Sequence, residues 1–402
     1  MITKDRREII SYICILVMSF LLFFAMNDSF VGTGLLAAMT VVLIVCNYNK
    51  KTIYPVVPII LLCGYFIIMF ALSGTMGITG FNSPQKFVAK FIGMMFAFVA
   101  ATVIKQFSEE EKKRIVQVCI LSIIISSFIS IYYCIFVDPM AMRARDLVDI
   151  NATFSFGQLY AIVLFIGGFS CYWLTMTKKN RIWSLVVFVI LFTCLAYAMF
   201  TTALLLAIIG IVLGLILNNL TNKKRVAISI IALIAILIVF LVVREPLSAA
   251  LYRMTLNFPE LVQQRVAKVI DLLFATSHET TYTMDRRFEL ASYSLNSFFQ
   301  HPWFGVGIKG IKYGAIGYHQ EWPDMLGICG IIGTAIISLV MSAFTRKMFS
   351  WTEQISDKKA LAIGLVQFFI LGFLNPCISA ASMFMLFCIL PNLSSLGYGR
   401  AE

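Results

Sequence analysis

Two kinds of side chain with clear chemical uses gather in one polar stretch of an otherwise strongly apolar chain. Asp285-Arg286-Arg287-Phe288-Glu289-Leu290 comes first, His301-Pro302-Trp303-Phe304-Gly305-Val306-Gly307 follows, and a lone His319 stands just ahead of a hydrophobic run. A planar guanidinium meets phosphate oxygens through two parallel hydrogen bonds, so an arginine here suits a leaving group that develops charge on a diphosphate. A neutral imidazole, with an unperturbed pKa of about 6.5, suits removal of the proton from an attacking hydroxyl. An arginine on a short helix, a Pro-x-x-Gly-x-Gly turn and a histidine thus make a candidate active site. Arg287 and His319 are its leading candidates, for an anionic leaving group and for the base, and Arg286, Arg143, Arg145 and Arg253 are weaker candidates for phosphate or sugar contacts.

Each of these residues also has a plainer use. Arg143, Arg145, Arg244, Arg253 and Arg265 can bind lipid headgroups at an interface, and His319 by itself reads equally well as a polar boundary residue. His278 and His301 read as structural, one in a Thr/Ser-rich loop and the other at a helix stop. Lys86 and Lys90, one helical turn apart, read as snorkelling, and Gln158, Gln367 and Asn375 as hydrogen-bonding between helices. There is no Asp-x-Asp, no histidine pair at helical spacing, no Cys/His cluster and no Gly-x-x-x-x-Gly-Lys-Ser/Thr loop, so neither a catalytic metal nor ATP is expected.

What must position these residues is a membrane bundle. Hydrophobic residues are 60% of the 402 and charged ones 13%, and uncharged runs recur at lengths that cross roughly 30 Å of hydrocarbon. Lys and Arg in short loops mark the cytoplasmic side. They cluster at Lys4/Arg6/Arg7, Lys50-Lys51, Lys112-Lys113-Arg114, Lys178-Lys179/Arg181, Lys223-Lys224-Arg225, Arg346-Lys347 with Lys358-Lys359, and Arg400. Clusters on one side require an even number of crossings between them. The 41 uncharged residues between Arg181 and Lys223 must therefore be two spans turning near Thr201-Thr202, and similar splits fall at Asn27-Asp28 and Asn375-Pro376. Twelve spans are expected, at roughly 9–26, 31–46, 53–72, 86–104, 115–137, 157–175, 182–199, 201–217, 226–243, 323–343, 360–375 and 377–395, with both termini inside. The first is read as a retained span, since no small-x-small cleavage site follows it. On this layout the inner side holds 20 Lys/Arg against 8 Asp/Glu, which accounts for the whole net charge of +12 as a topology signal and leaves no call for nucleic acid. All ten cysteines fall in hydrophobic segments, so no disulfide framework is expected.

The chain accordingly divides into nine transmembrane helices over 1–243, a long extracytoplasmic loop over 244–322, and three more helices over 323–402. Within the loop, Asn257-Phe-Pro-Glu260 looks like the start of an amphipathic helix. Asp285 can cap a second helix running to Phe299 with Pro302 as its stop, which puts Arg286 and Arg287 in the first turn, against the helix dipole.

Arg287 with Leu290, His301-Pro302-Trp303-Phe304-Gly305-Val306-Gly307, His319 and the following Gly330-Ile331-Ile332-Gly333 resemble the large outer loop of the O-antigen ligase and O-antigen/capsule polymerase (Wzy-type) family. The motifs cover about 50 residues. One departure is that ligases usually carry His-Asn or His-Ser, where this chain has His319-Gln320-Glu321. The resemblance implies an all-α, polytopic membrane glycosyltransferase of the GT-C-like kind in the bacterial cytoplasmic membrane, with its site on the outer, periplasmic side. It implies inverting, metal-independent chemistry without a cofactor, an undecaprenyl-diphosphate-linked oligosaccharide as substrate, membrane lipid as surroundings and a chain-length regulator protein as partner. Polymerisation of repeat units into O-antigen or capsule is the expected activity. A ligase moving the finished glycan to another acceptor is the near alternative, and a lipid-linked oligosaccharide flippase the alternative from another class.

Overall fold

Apolar runs of span length satisfy their backbone in hydrocarbon by closing into helices, and helices without strands are what the described residues form. The computed structural model describes residues 4–24, 30–48, 84–137, 156–173, 176–198, 201–218, 278–306 and 316–397, with isolated residues at 57–68 and 249–263. The helices are α1 (Lys4–Leu21), α2 (Phe30–Cys46), α3 (Pro84–Ile104), α4 (Glu109–Tyr132), α5 (Phe156–Ser170), α6 (Lys178–Ala198), α7 (Thr201–Asn218), α8 (His278–Gln300), α9 (Glu321–Trp351), α10 (Ile355–Leu374) and α11 (Ala380–Phe384). α11 runs on through a π turn, Met385–Ile389, and a 3-10 turn, Leu390–Leu396. Three stretches, Glu109–Val137, Asn180–Ala198 and Glu321–Trp351, are long and apolar enough to cross a membrane, and shorter apolar helices accompany them. The chain is an all-α membrane protein. The uncharged stretch after Arg181 is two helices, α6 ending at Ala198 and α7 beginning at Thr201. The spans expected at 53–72 and 226–243 and the amphipathic helix expected from Asn257 lie outside the described residues, isolated positions apart.

α5 is the centre of the bundle. Leu159 to Ile166 are each 1% exposed or less, as befits a helix apolar on every face and enclosed by others. It packs against α7, α10 and α11. α7 comes so close that a Cβ added at Gly210 would lie 2.8 Å from the Gly167 Cα. Into that crossing α10 sends Gln367, whose Nε2 donates to the Leu206 carbonyl at 2.8 Å and the Val163 carbonyl at 3.2 Å. The outer helices turn large side chains outward, among them Val41, Leu121, Phe128, Val189 and Leu339, where hydrocarbon rather than water is the fitting neighbour.

The bundle has two chemically different ends, between which α3 and α9 run parallel. At one, Lys90 of α3 meets Glu321 at the start of α9. At the other, Lys105 and Lys347 stack on the Trp351 ring, at 5.0 and 4.8 Å from its centroid. That second end also carries Lys112, Lys113, Arg114, Arg346, Lys358 and Lys359. Asp357 is buried there, accepting hydrogen bonds from the Tyr172 hydroxyl and from the Ser394 hydroxyl and amide, and so ties the ends of α5, α10 and α11 together.

Candidate active site

The first end is built around a break in α9. Gly330 has φ 63° and ψ −168°, outside the helical region, inside an otherwise continuous helix from Glu321 to Trp351. In an unbroken helix the Ile331 amide would donate to the Gly327 carbonyl and the Ile332 amide to Ile328. Instead the turn after α8 supplies the missing partners. The Ile331 amide donates to the Pro302 carbonyl (2.8 Å), the Ile332 amide to the Trp303 carbonyl (3.2 Å), and the Val306 amide donates to the Gly327 carbonyl (2.9 Å). Backbone groups freed by the break are thus satisfied by another backbone, as the interior of a membrane protein requires. So close a fit leaves no room for side chains: a Cβ at Gly305 (φ +66°) would fall 2.3 Å from the Ile328 oxygen, and one at Gly330 2.5 Å from the Trp303 carbonyl. The Pro-x-x-Gly turn and the Gly-Ile-Ile-Gly segment are therefore two halves of one joint.

Above the joint the chain returns past α8 to reach His319. Gly317 passes so near the helix that a Cβ would lie 2.2 Å from the Leu290 oxygen, and its amide donates to the Ser294 hydroxyl at 2.9 Å. That hydroxyl donates onward to Asp324 Oδ1 at 2.5 Å, while Asp324 Oδ2 accepts the Gln320 amide at 2.9 Å. A carboxylate in the first turn also faces the positive end of the α9 dipole. Tyr318 takes the left-handed conformation, φ 56°, immediately before His319, a strained step of the kind held only by firm surroundings. Burial, and then the charge of Asp324, push its phenol above the usual tyrosine range, so that it stays a neutral donor; its hydroxyl is enclosed without a partner among the described residues. Two residues after His319, Glu321 is 3% exposed, paired with Lys90 Nζ at 2.8 Å and accepting the Ile378 amide at 3.0 Å. His319 itself is exposed. It stands on a segment pinned on one side to α8 through Ser294 and Asp324, and on the other to α3 and the chain before α11 through Glu321.

Of the residues singled out by sequence, Arg287 and Arg286 lie in α8, but not in its first turn. The helix begins at His278 rather than at Asp285, so they fall in its third turn, where the dipole is not felt as a terminal charge and no penalty needs a distant partner to offset it. Position 287 is three residues before Leu290, whose backbone lies against Gly317. It therefore lies one turn past Leu290, further toward this end of the bundle. Arg253 is exposed in a short helical stretch, and Arg143 and Arg145 lie outside the described residues. His301 is half-buried and serves the turn, its amide bonding to Ser297 and Phe298 and its carbonyl accepting from Gly305. Lys90 does not merely snorkel; it neutralises a buried carboxylate. Asp324, Glu321, Ser294 and Tyr318 carry the positioning of His319 and were not picked out for it. Two acids within five residues after a histidine, at the mouth of a span, were the available signal, since a carboxylate there demands a partner. Among the described residues no three His, Cys, Asp or Glu side chains come together.

Residues 186–338 match the family model described as O-antigen ligase. The matched stretch runs from α6 through the polar excursion to the first half of α9, past the Gly330 joint. No curated protein and no solved structure matches the chain. The matched domain, at 186–338, is consistent with the O-antigen ligase/polymerase superfamily.

Proposed function

We propose, proceeding from that domain and from the pedestal under His319, that the protein lengthens a surface polysaccharide by joining polyprenyl-diphosphate-linked repeat units. In the reaction a hydroxyl of the acceptor repeat attacks the anomeric carbon of the donor glycan. The new glycosidic bond forms as the bond from that carbon to the diphosphate oxygen breaks, His319 accepts the hydroxyl proton, and the polyprenyl diphosphate leaves. Attack opposite the leaving group inverts the anomeric centre. Arg287 is assigned to the charge that develops on the diphosphate, with Arg286, Arg143, Arg145 and Arg253 as further contacts. The glycosyl-phosphate bond itself supplies the driving force, so neither ATP nor a metal is assigned a role.

One observation carries this reading: an exposed histidine stands on a segment tied to α8 through Ser294 and Asp324, at the end of the bundle away from the lysine- and arginine-rich one. By the positive-inside rule that basic end faces the cytoplasm, which puts His319 on the outer face of the membrane. A second reading, ligation of the finished glycan to another acceptor, is favoured by the description of the matched family model; His319-Gln320 in place of the ligases' His-Asn or His-Ser weighs toward polymerisation. Sizing the surface glycan of a deletion strain on a gel separates the two. Polymerisation predicts single repeats attached to their normal acceptor. Accumulated lipid-linked polymer that is never attached would identify a ligase, and loss of both forms would point to a flippase.

A further inference from the structure

The turn at Pro302–Val306 belongs by sequence to the polar excursion, yet its hydrogen bonds fix it to Gly330, inside the span. Between Met325 and Phe344 α9 carries no charge over 20 residues, a length of roughly 30 Å that matches the hydrocarbon core. Gly330 lies five residues into that run, about 8 Å below its upper boundary. Pro302 and Trp303 bond to Ile331 and Ile332 at the same level. Around the turn, Phe299 is 72% exposed, Trp303 65% and Phe304 44%, and Ile331 beside them on α9 is 46% exposed.

We infer that this turn is a re-entrant tip, with Phe299, Trp303 and Phe304 inserted among the acyl chains of the leaflet on the His319 side. The occupant is lipid rather than a protein partner because depth decides it: a patch joined by backbone hydrogen bonds to a charge-free run faces whatever surrounds that run. Aromatic side chains each bring roughly 150–250 Å² of surface, which water would disfavour and hydrocarbon accepts. The polar backbone of such a turn is tolerated at that depth only when bonded within the protein, and the three bonds to α9 do this. Gln300 is exposed at the foot of α8. Helical side chains tilt toward the N-terminus, here upward, so its amide reaches the boundary. The consequence is mechanical: α8 is held upright with its position 287 at a set height over the bilayer surface. None of this depends on the reaction catalysed.

Fluorescence quenching tests it directly. The parent protein and Trp303→Phe are reconstituted in phosphatidylcholine vesicles whose acyl chains carry bromine near the glycerol end, and the difference between their emission spectra isolates Trp303. Embedding predicts that this component is strongly quenched by the bromolipid and little affected by aqueous iodide. Quenching by iodide with no effect of bromine would overturn the inference. If Trp303→Phe does not give monodisperse protein, Phe299→Trp in the parent background adds a reporter on the same tip. Its added emission must show the same preference for bromine over iodide, and the opposite preference would again overturn the inference.

Discussion

Lys90 and Glu321 form an ion pair that holds the segment next to His319 in place. Glu321 is almost wholly enclosed, and removing its partner leaves a charge that, among the described residues, has the Ile378 amide alone to answer it. Breaking such a pair costs about 3–5 kcal/mol, and the lower end applies because Lys90 keeps some contact with solvent. Lys90→Met should lower the thermal midpoint of the purified protein, and adding Glu321→Gln should recover most of the loss, since an amide needs no counter-charge. A double variant no more stable than Lys90→Met would mean that the pair does not hold the segment. The proposed role of Arg287 makes a different demand. Lysine keeps the charge but not the two-pronged geometry, so Arg287→Lys should slow polymer formation by on the order of 10²-fold, close to alanine. Near-normal rates in the lysine variant would reduce Arg287 to a diffuse positive charge.

At the scale of elements, the joint between the Pro302 turn and the Gly330 break is the part of the site that sequence disclosed by pattern but not by meaning. Gly305, Gly330 and Gly333 stood out as motif positions; that a Cβ on Gly330 would fall 2.6 Å from the Gly305 nitrogen is a fact of tertiary packing that no local spacing encodes. Span positions were legible because charge and apolar length act along the chain, as at the split between α6 and α7. The start of α8 was not: Asp285 offered a good cap, yet the helix runs through it from His278. Lys90 and Glu321 are 231 residues apart, so their pairing waited on the fold. The joint predicts its own fragility. Gly305→Ala must place a methyl group against the Ile328 carbonyl and hold a left-handed φ, which alone costs roughly 1–2 kcal/mol. It should reduce both folded yield in membranes and thermal midpoint well beyond Gly34→Ala, a site with open space around it. Equal behaviour of the two variants would contradict the interlocked geometry.

The whole molecule is a membrane bundle with a basic end and an end that carries an exposed histidine over two buried carboxylates. If the basic end is cytoplasmic, a reporter fused after Lys224 will report the cytoplasm and one fused near Thr280 the exterior; both on one side would undo the proposed placement of the site. The central claim is chemical, and it is tested by giving the purified protein, in vesicles, a polyprenyl-diphosphate-linked repeat unit and resolving the products by size. The account predicts a ladder of lengthened glycan with release of polyprenyl diphosphate. For His319→Ala, folded and inserted like its parent, it predicts a rate lower by about 10²–10⁴-fold, the usual worth of a positioned base. A ladder undiminished in His319→Ala, or no lengthening by the parent protein, would contradict it.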